Sequence, residues 1–123
     1  MSSVLLSPPS AILFLMDPMN KATEIPPYID DQLVTSTVSC ISVGTQASVD
    51  GETEVTLTRG DLEPRNLVRV ATVNIALPMG NIAVVTSEFE VILREKATRE
   101  VEKVSIWVDD DRHPSKVFIK IES

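Results

Sequence analysis

The amino-acid sequence predicts an all-β chain, an antiparallel β-sandwich of about seven or eight strands built as one domain over residues 1–123. Three observations carry this. Apolar residues recur at every second position, most cleanly at Val104, Ile106 and Val108 and again at Val117, Ile119 and Ile121. The apolar runs are short, rich in Val, Ile and Thr, and separated by turn residues. The chain has 123 residues, 43% apolar and 24% charged, which is enough to bury a core without a disulfide or a metal. A two-layer sandwich is favoured over the alternative, a small barrel. Several strands are apolar on one face and carry Thr, Ser or Glu on the other, as two packed sheets require.

Taken in order, Ile12 to Met16 is a continuous apolar run, as in a strand buried on both faces. From Met19 to Asp31 the chain is polar and contains Pro26-Pro27, so it reads as a loop or an extended arm. Val34 to Thr45 reads as one strand, with Val38 and Cys40 on one face and Ile41 and Val43 on the other. Asp50-Gly51 reads as a two-residue hairpin turn between Ala47-Ser48-Val49 and the strand Glu52 to Arg59, because a type I′ turn needs positive φ at both central residues. On that strand Val55 and Leu57 oppose Glu54, Thr56 and Thr58. Gly60 to Asn66 is a loop, and Leu67 to Leu77 follows with Ala71, Val73, Ile75 and Leu77 on one face. Pro78-Met79-Gly80 turns the chain into the strand Ile82 to Thr86. Ser87 to Lys103 is ambiguous. Ser87 and Glu90 fit a capping box, with a short helix near residues 88–100 as the alternative. The alternation of Phe89, Val91 and Leu93 favours a strand to about Arg94, then a turn or short helical piece around Lys96 to Arg99.

Composition excludes several functions. Cys40 is the only cysteine, so no disulfide framework exists, and Cys40 with His113 cannot make a zinc site. The net charge is -7 and there are five aromatic residues, which argues against a nucleic-acid surface. The longest apolar run is too short to cross a bilayer, and the first residues lack the basic region of a secretory signal, so a cytoplasmic location without membrane contact is expected.

Each chemically active residue has a plainer reading beside it. His113 follows Asp109-Asp110-Asp111 and could be oriented as a general base, but no nucleophile accompanies it, which favours a solvated loop histidine. Those aspartates, and Asp30-Asp31, could hold a hard cation, yet neither run has the glycine-bearing spacing of a calcium loop. Cys40 in a Val/Ser/Thr strand reads as a small core residue rather than a catalytic thiol. Arg59-Gly60-Asp61 spells an adhesion tripeptide but reads as a turn. Trp107 is out of phase with Val104, Ile106 and Val108, so it either plugs the second face of its strand or anchors an interface. No catalytic, cofactor or metal residue is assigned. Residues 1–60 hold seven acids and two bases, a balance of -5, against -2 for residues 61–123. The N-terminal half therefore offers a negative patch suited to a basic partner, or simply solubility.

The order of these features resembles the small β-sandwich family of the bacterial competence protein J, whose best-known member is a nuclease inhibitor. The resemblance runs from about Ile12 to Val108. Its features are the apolar first strand, Pro26-Pro27 followed by acids, the strand Ser39-Cys40-Ile41-Ser42-Val43, two further strand pairs, and a strand ending near Trp107. The sequence departs from the pattern before the tryptophan strand, where Thr98-Arg99-Glu100 stands in place of a Pro-Gly turn. The resemblance implies an antiparallel sandwich and a protein-binding role, and carries over no functional residue. The expected function is a non-enzymatic acidic module that binds and regulates a protein, such as a basic one, with no cofactor and no direct nucleic-acid contact. The alternatives are a structural homo-oligomer using an uncapped edge strand, and a small enzyme using the Asp109–His113 loop.

Overall fold

The computed structural model describes residues 1–60 and 63–122. Ten strands form two five-stranded sheets. They are β1 (Ser2–Leu6), β2 (Ile12–Met16), β3 (Val34–Ser36), β4 (Cys40–Gly44), β5 (Thr53–Arg59), β6 (Val68–Ala76), β7 (Asn81–Thr86), β8 (Val91–Lys96), β9 (Val101–Val108) and β10 (Lys116–Ile121). The first sheet has the order β1-β5-β10-β9-β6 and the second β3-β4-β2-β7-β8. Each sheet keeps two free edges, so the molecule is an open sandwich and not a barrel. β6 and β3 form the edges on one side, β1 and β8 on the other.

Alternation decides what each strand buries. Leu13 and Leu15, Ile41 and Val43, Ile82 and Val84 face inward from the second sheet. Val55 and Leu57, Val104, Ile106 and Val108, and Val117, Ile119 and Ile121 meet them from the first. Each such side chain contributes about 2 kcal/mol on leaving water. The opposite phase of the second sheet carries a smaller apolar cluster, Phe14, Met16, Cys40, Ala83 and Val85. This is why Ile12 to Met16 is apolar at every position. On the outer phase of the first sheet, Trp107 sits directly opposite Phe118. Their rings meet edge to face at 6.1 Å, and Lys120 Nζ lies 5.1 Å from the indole. Trp107 is 5% exposed and so plugs the second face of its strand.

Several details differ from the sequence expectations. The described residues form ten strands rather than seven or eight. Ser2–Leu6 is an edge strand whose Ser-Ser-Val-Leu-Leu sequence lacks alternation. Val34 to Thr45 is two strands, because the Thr37 hydroxyl takes the Ser39 N–H at 3.3 Å and bends the chain between them. Asp50-Gly51 is not a hairpin. Ser48–Asp50 is a 3-10 turn ended by Gly51 at φ 118°, and the segment carries the chain from one sheet to the other. β5 instead pairs antiparallel with β1 and parallel with β10. No helix forms over residues 88–100. There the Thr86 hydroxyl accepts the N–H groups of Glu88 and Glu90 (both 3.3 Å), closing a β7–β8 turn in place of a Ser87 helix cap. The Pro78-Met79-Gly80 turn is present, closed by the Gly80 N–H on the Leu77 carbonyl at 3.1 Å, with Gly80 at φ 79°.

At that end of the sandwich the Arg59 side chain joins the layers. Arg59, at the end of β5, meets Glu102 on β9 at 2.5 Å and also donates to the Lys96 carbonyl of β8 at 2.9 Å. Glu102 accepts the Thr98 N–H as well, at 3.0 Å. Burial pushes the Glu102 carboxyl up, but Arg59 and Thr98 outweigh it and hold it below the ordinary carboxylate range. A folded pKa below the unfolded value of about 4.3 stabilises the fold above that value. The contribution is lost as pH falls through the folded pKa. Glu102→Gln is therefore expected to cost about 3 kcal/mol at neutral pH, the low end for a broken buried pair because Arg59 stays partly in water. Its deficit relative to the unmutated protein should shrink in acid, which urea unfolding at neutral and acid pH will measure.

Candidate functional site

Residues 17–33 join β2 to β3 as an extended arm along the β3 edge. It is fixed at its start, its middle and its end. Asp17 is fully buried. Its Oδ1 accepts the Met19 N–H at 3.0 Å, and its Oδ2 accepts the Met79 N–H at 2.7 Å. Both carboxylate oxygens are thus satisfied by amides, one from the arm and one from the β6–β7 turn. Asn20 closes the next turn by accepting the Ala22 N–H at 3.0 Å. In the middle, the Glu24 N–H donates to the Ser39 hydroxyl at 2.8 Å and the Glu24 carbonyl accepts the Thr37 hydroxyl at 2.6 Å. Pro26 is buried beyond it. At the end, the Gln32 N–H closes a turn on the Ile29 carbonyl at 3.2 Å, with Asp31 in the left-handed region at φ 66°. The Leu33 carbonyl then takes the Gly44 N–H at 2.9 Å.

This anchoring presents side chains that a folded core would not leave in water. Tyr28 is 81% exposed, and Ile25 and Ile29 are about half as exposed at 41% and 43%. Glu24, Asp30 and Asp31 are exposed around them. The Tyr28 hydroxyl donates to Asp30 Oδ1 at 3.2 Å, which raises the phenol pKa; the nearby negative charge acts in the same direction. The arm is therefore a preorganised surface of one aromatic ring, two branched aliphatic side chains and three carboxylates. Aromatic anchors within polar rims are what protein interfaces use for affinity, and fixed carboxylates select basic partners.

The other sequence candidates fall elsewhere. Asp109 accepts the N–H groups of Ser115 at 2.9 Å and Lys116 at 3.0 Å, and the Ser115 hydroxyl. Burial pushes the Asp109 carboxyl up, but these donors outweigh it and hold it below its usual value. Asp110 accepts the N–H groups of His113 and Arg112 at 3.0 and 2.8 Å, which lowers it too. These carboxylates shape the β9–β10 connection, and His113 is an exposed member of it. Among the described residues, no three His, Cys, Asp or Glu side chains converge as a metal site. Cys40 is buried, and burial pushes its thiol up to about 12. The adhesion-like tripeptide has its Asp61 outside the described residues. The arm itself was legible only as a loop, and Tyr28 carried no sequence signal beyond its place between Pro27 and the acids.

Two measurements check this description. Tyr28 is the only tyrosine, so its phenolate absorbance titrates alone. Its midpoint is expected above the ordinary value of about 10, and Asp30→Asn should return it toward that value. Cys40 should resist a thiol reagent near neutral pH in the folded protein and react once urea unfolds it; ready labelling of the native state would contradict its burial.

No helix among the described residues is long and apolar enough to cross a membrane. No family model matches the chain, and no curated protein matches it in sequence. A solved structure does match: the crystal structure of ComJ from Bacillus subtilis, inhibitor of the DNA-degrading activity of NucA. It aligns with a TM-score of 0.74 and 11% identity, covering 100% of this chain and 96% of that one. The chain therefore has the two-layer β fold of ComJ, as the resemblance to the competence protein J family led us to expect.

Proposed function

We propose that this protein is a non-enzymatic inhibitor that binds a DNA-degrading nuclease through its acidic arm. The observation that carries the reading is the anchored arm, with Tyr28 standing in water among Glu24, Asp30 and Asp31. A nuclease must hold a polyanion, so its substrate groove is lined with Lys and Arg. A run of fixed carboxylates can occupy such a groove in place of phosphates, and an exposed aromatic ring supplies the desolvated contact that slows dissociation. The net charge of -7 steers the encounter from a distance. The shared fold with an inhibitor of a DNA-degrading activity supports the same reading.

The test is plasmid degradation by a lysate of the source cells, with and without the purified protein. Added protein is expected to slow degradation, and the effect should weaken as salt rises. Replacing both Asp30 and Asp31 with Asn should raise the half-inhibitory concentration about tenfold, as should Tyr28→Ala, each a loss of about 1.4 kcal/mol. Degradation that is unaffected by the protein, or slowed by both variants as strongly as by the unmutated protein, would overturn the reading.

A further inference from the structure

Beside the arm, the sandwich is open. A cleft of about 380 Å³ runs between the arm and the first sheet. Pro26 and Ile29 of the arm form one wall, Val70 and Val73 of β6 the other, and Val34 of β3 lies between them. The β6 wall is also a free strand edge. The Ala76 N–H points away from β9 and donates to the Val38 carbonyl at 2.7 Å. In an antiparallel ladder the outward amides alternate, so Asn74 and Thr72 point the same way as Ala76. Among the described residues, neither amide has a backbone partner on that side.

Edges of this kind are ordinarily blunted by charge, proline or shortness. β6 is nine residues long with the sequence VRVATVNIA, and Arg69 is its single charge. Its bulge lies between Arg69 and Ala71, leaving Thr72 to Asn74 regular. Along the arm, exposed acids flank the residues that line the cleft: Glu24 precedes Pro26, and Asp30 and Asp31 follow Ile29. A second copy of this chain is a poor occupant, because pairing two β6 edges would bring two such arms, each on a chain of charge -7, to one side.

We propose that the outer edge of β6 takes up an extended basic segment of the partner protein as an added strand. Its backbone bonds to Thr72 and Asn74. One apolar side chain fills the cleft, and Lys or Arg two residues to either side meets Glu24 and Asp30 or Asp31. Those flanking positions lie on the same strand face, about 13 Å apart, and so point with the apolar side chain toward the arm. The proposal rests on the reading of the arm as the surface that meets a basic partner, and adds how that partner is held.

The test titrates a capped Lys-Thr-Val-Thr-Lys-Thr peptide into isotope-labelled protein and follows amide shifts and hydrogen exchange. The amides of Thr72 and Asn74 are expected to shift and to exchange about tenfold more slowly. A Glu-Thr-Val-Thr-Glu-Thr peptide should not bind, and nor should the basic peptide with alternate backbone nitrogens methylated. Asn74→Pro removes an outward amide while sparing the bonds to β9, and should abolish binding with the β-sheet circular dichroism retained. The methylated peptide tests the same bond if that variant fails to fold. Peptide binding that leaves both amides unchanged overturns strand addition. So does slowed exchange that appears without peptide as the protein dimerises, or no binding at all. Nuclease inhibition that survives Asn74→Pro but is lost with Asp30 and Asp31 both changed to Asn would reject the added strand while leaving the arm's role standing.

Discussion

One buried carboxylate fixes the start of the arm on which the functional face depends. Asp17 follows β2, and its two oxygens reach the amides of Met19 and Met79. A charge removed from water is tolerated only where donors replace the lost solvent. Here the donors come from two segments, the start of the arm and the turn after β6, which the pairing of β2 with β7 brings side by side. The arm and β6 are also the two walls of the open cleft. The arm's wall of that cleft is thus held at its start by a side chain in the interior, and further along by Ser39, Thr37 and Gly44.

The acidic residues divide into two populations that the net charge of -7 does not separate. Asp109, Asp110 and Glu102 are engaged by amides, hydroxyls or a guanidinium, and their pKa values are lowered accordingly. They hold turns and layers together. Glu24, Asp30 and Asp31 stand outward on a backbone that other groups fix. This second population lies together on the arm, where it can meet a partner's cations beside Tyr28. Asp30 also accepts the Tyr28 hydroxyl, which keeps the charge beside the aromatic anchor.

Much of the fold was legible in the sequence because it depends on local alternation. Val55 and Leu57, Val104 to Val108, and Val117 to Ile121 all face the core as their period requires. What failed depends on partners distant in the chain. Asp50-Gly51 has the chemistry of a hairpin, but its flanks belong to different sheets. Ser2–Leu6 becomes a strand only because β5 lies beside it. The single run Val34 to Thr45 breaks where the Thr37 and Ser39 hydroxyls hold the backbone of the arm. The candidate site was legible as a proline-bearing acidic loop and no further. Its rigidity comes from Asp17, Ser39 and Thr37, and its cleft from the meeting of β3 and β6, none of which periodicity encodes.

The parallel pairing of β5 with β10 has a consequence for how the molecule comes to exist. β10 sits between β5 and β9, and every other strand precedes it in the chain. Until residues 116–121 are available, the first sheet is two disconnected fragments, β1 with β5 and β6 with β9. The second sheet, whose five strands all lie before residue 97, can assemble earlier, but its inner apolar face then has only a divided layer to cover it. Joining strands so far apart is entropically slow. The order of synthesis thus leaves a half-built sandwich with open seams, and the last strand to emerge is the one that closes them.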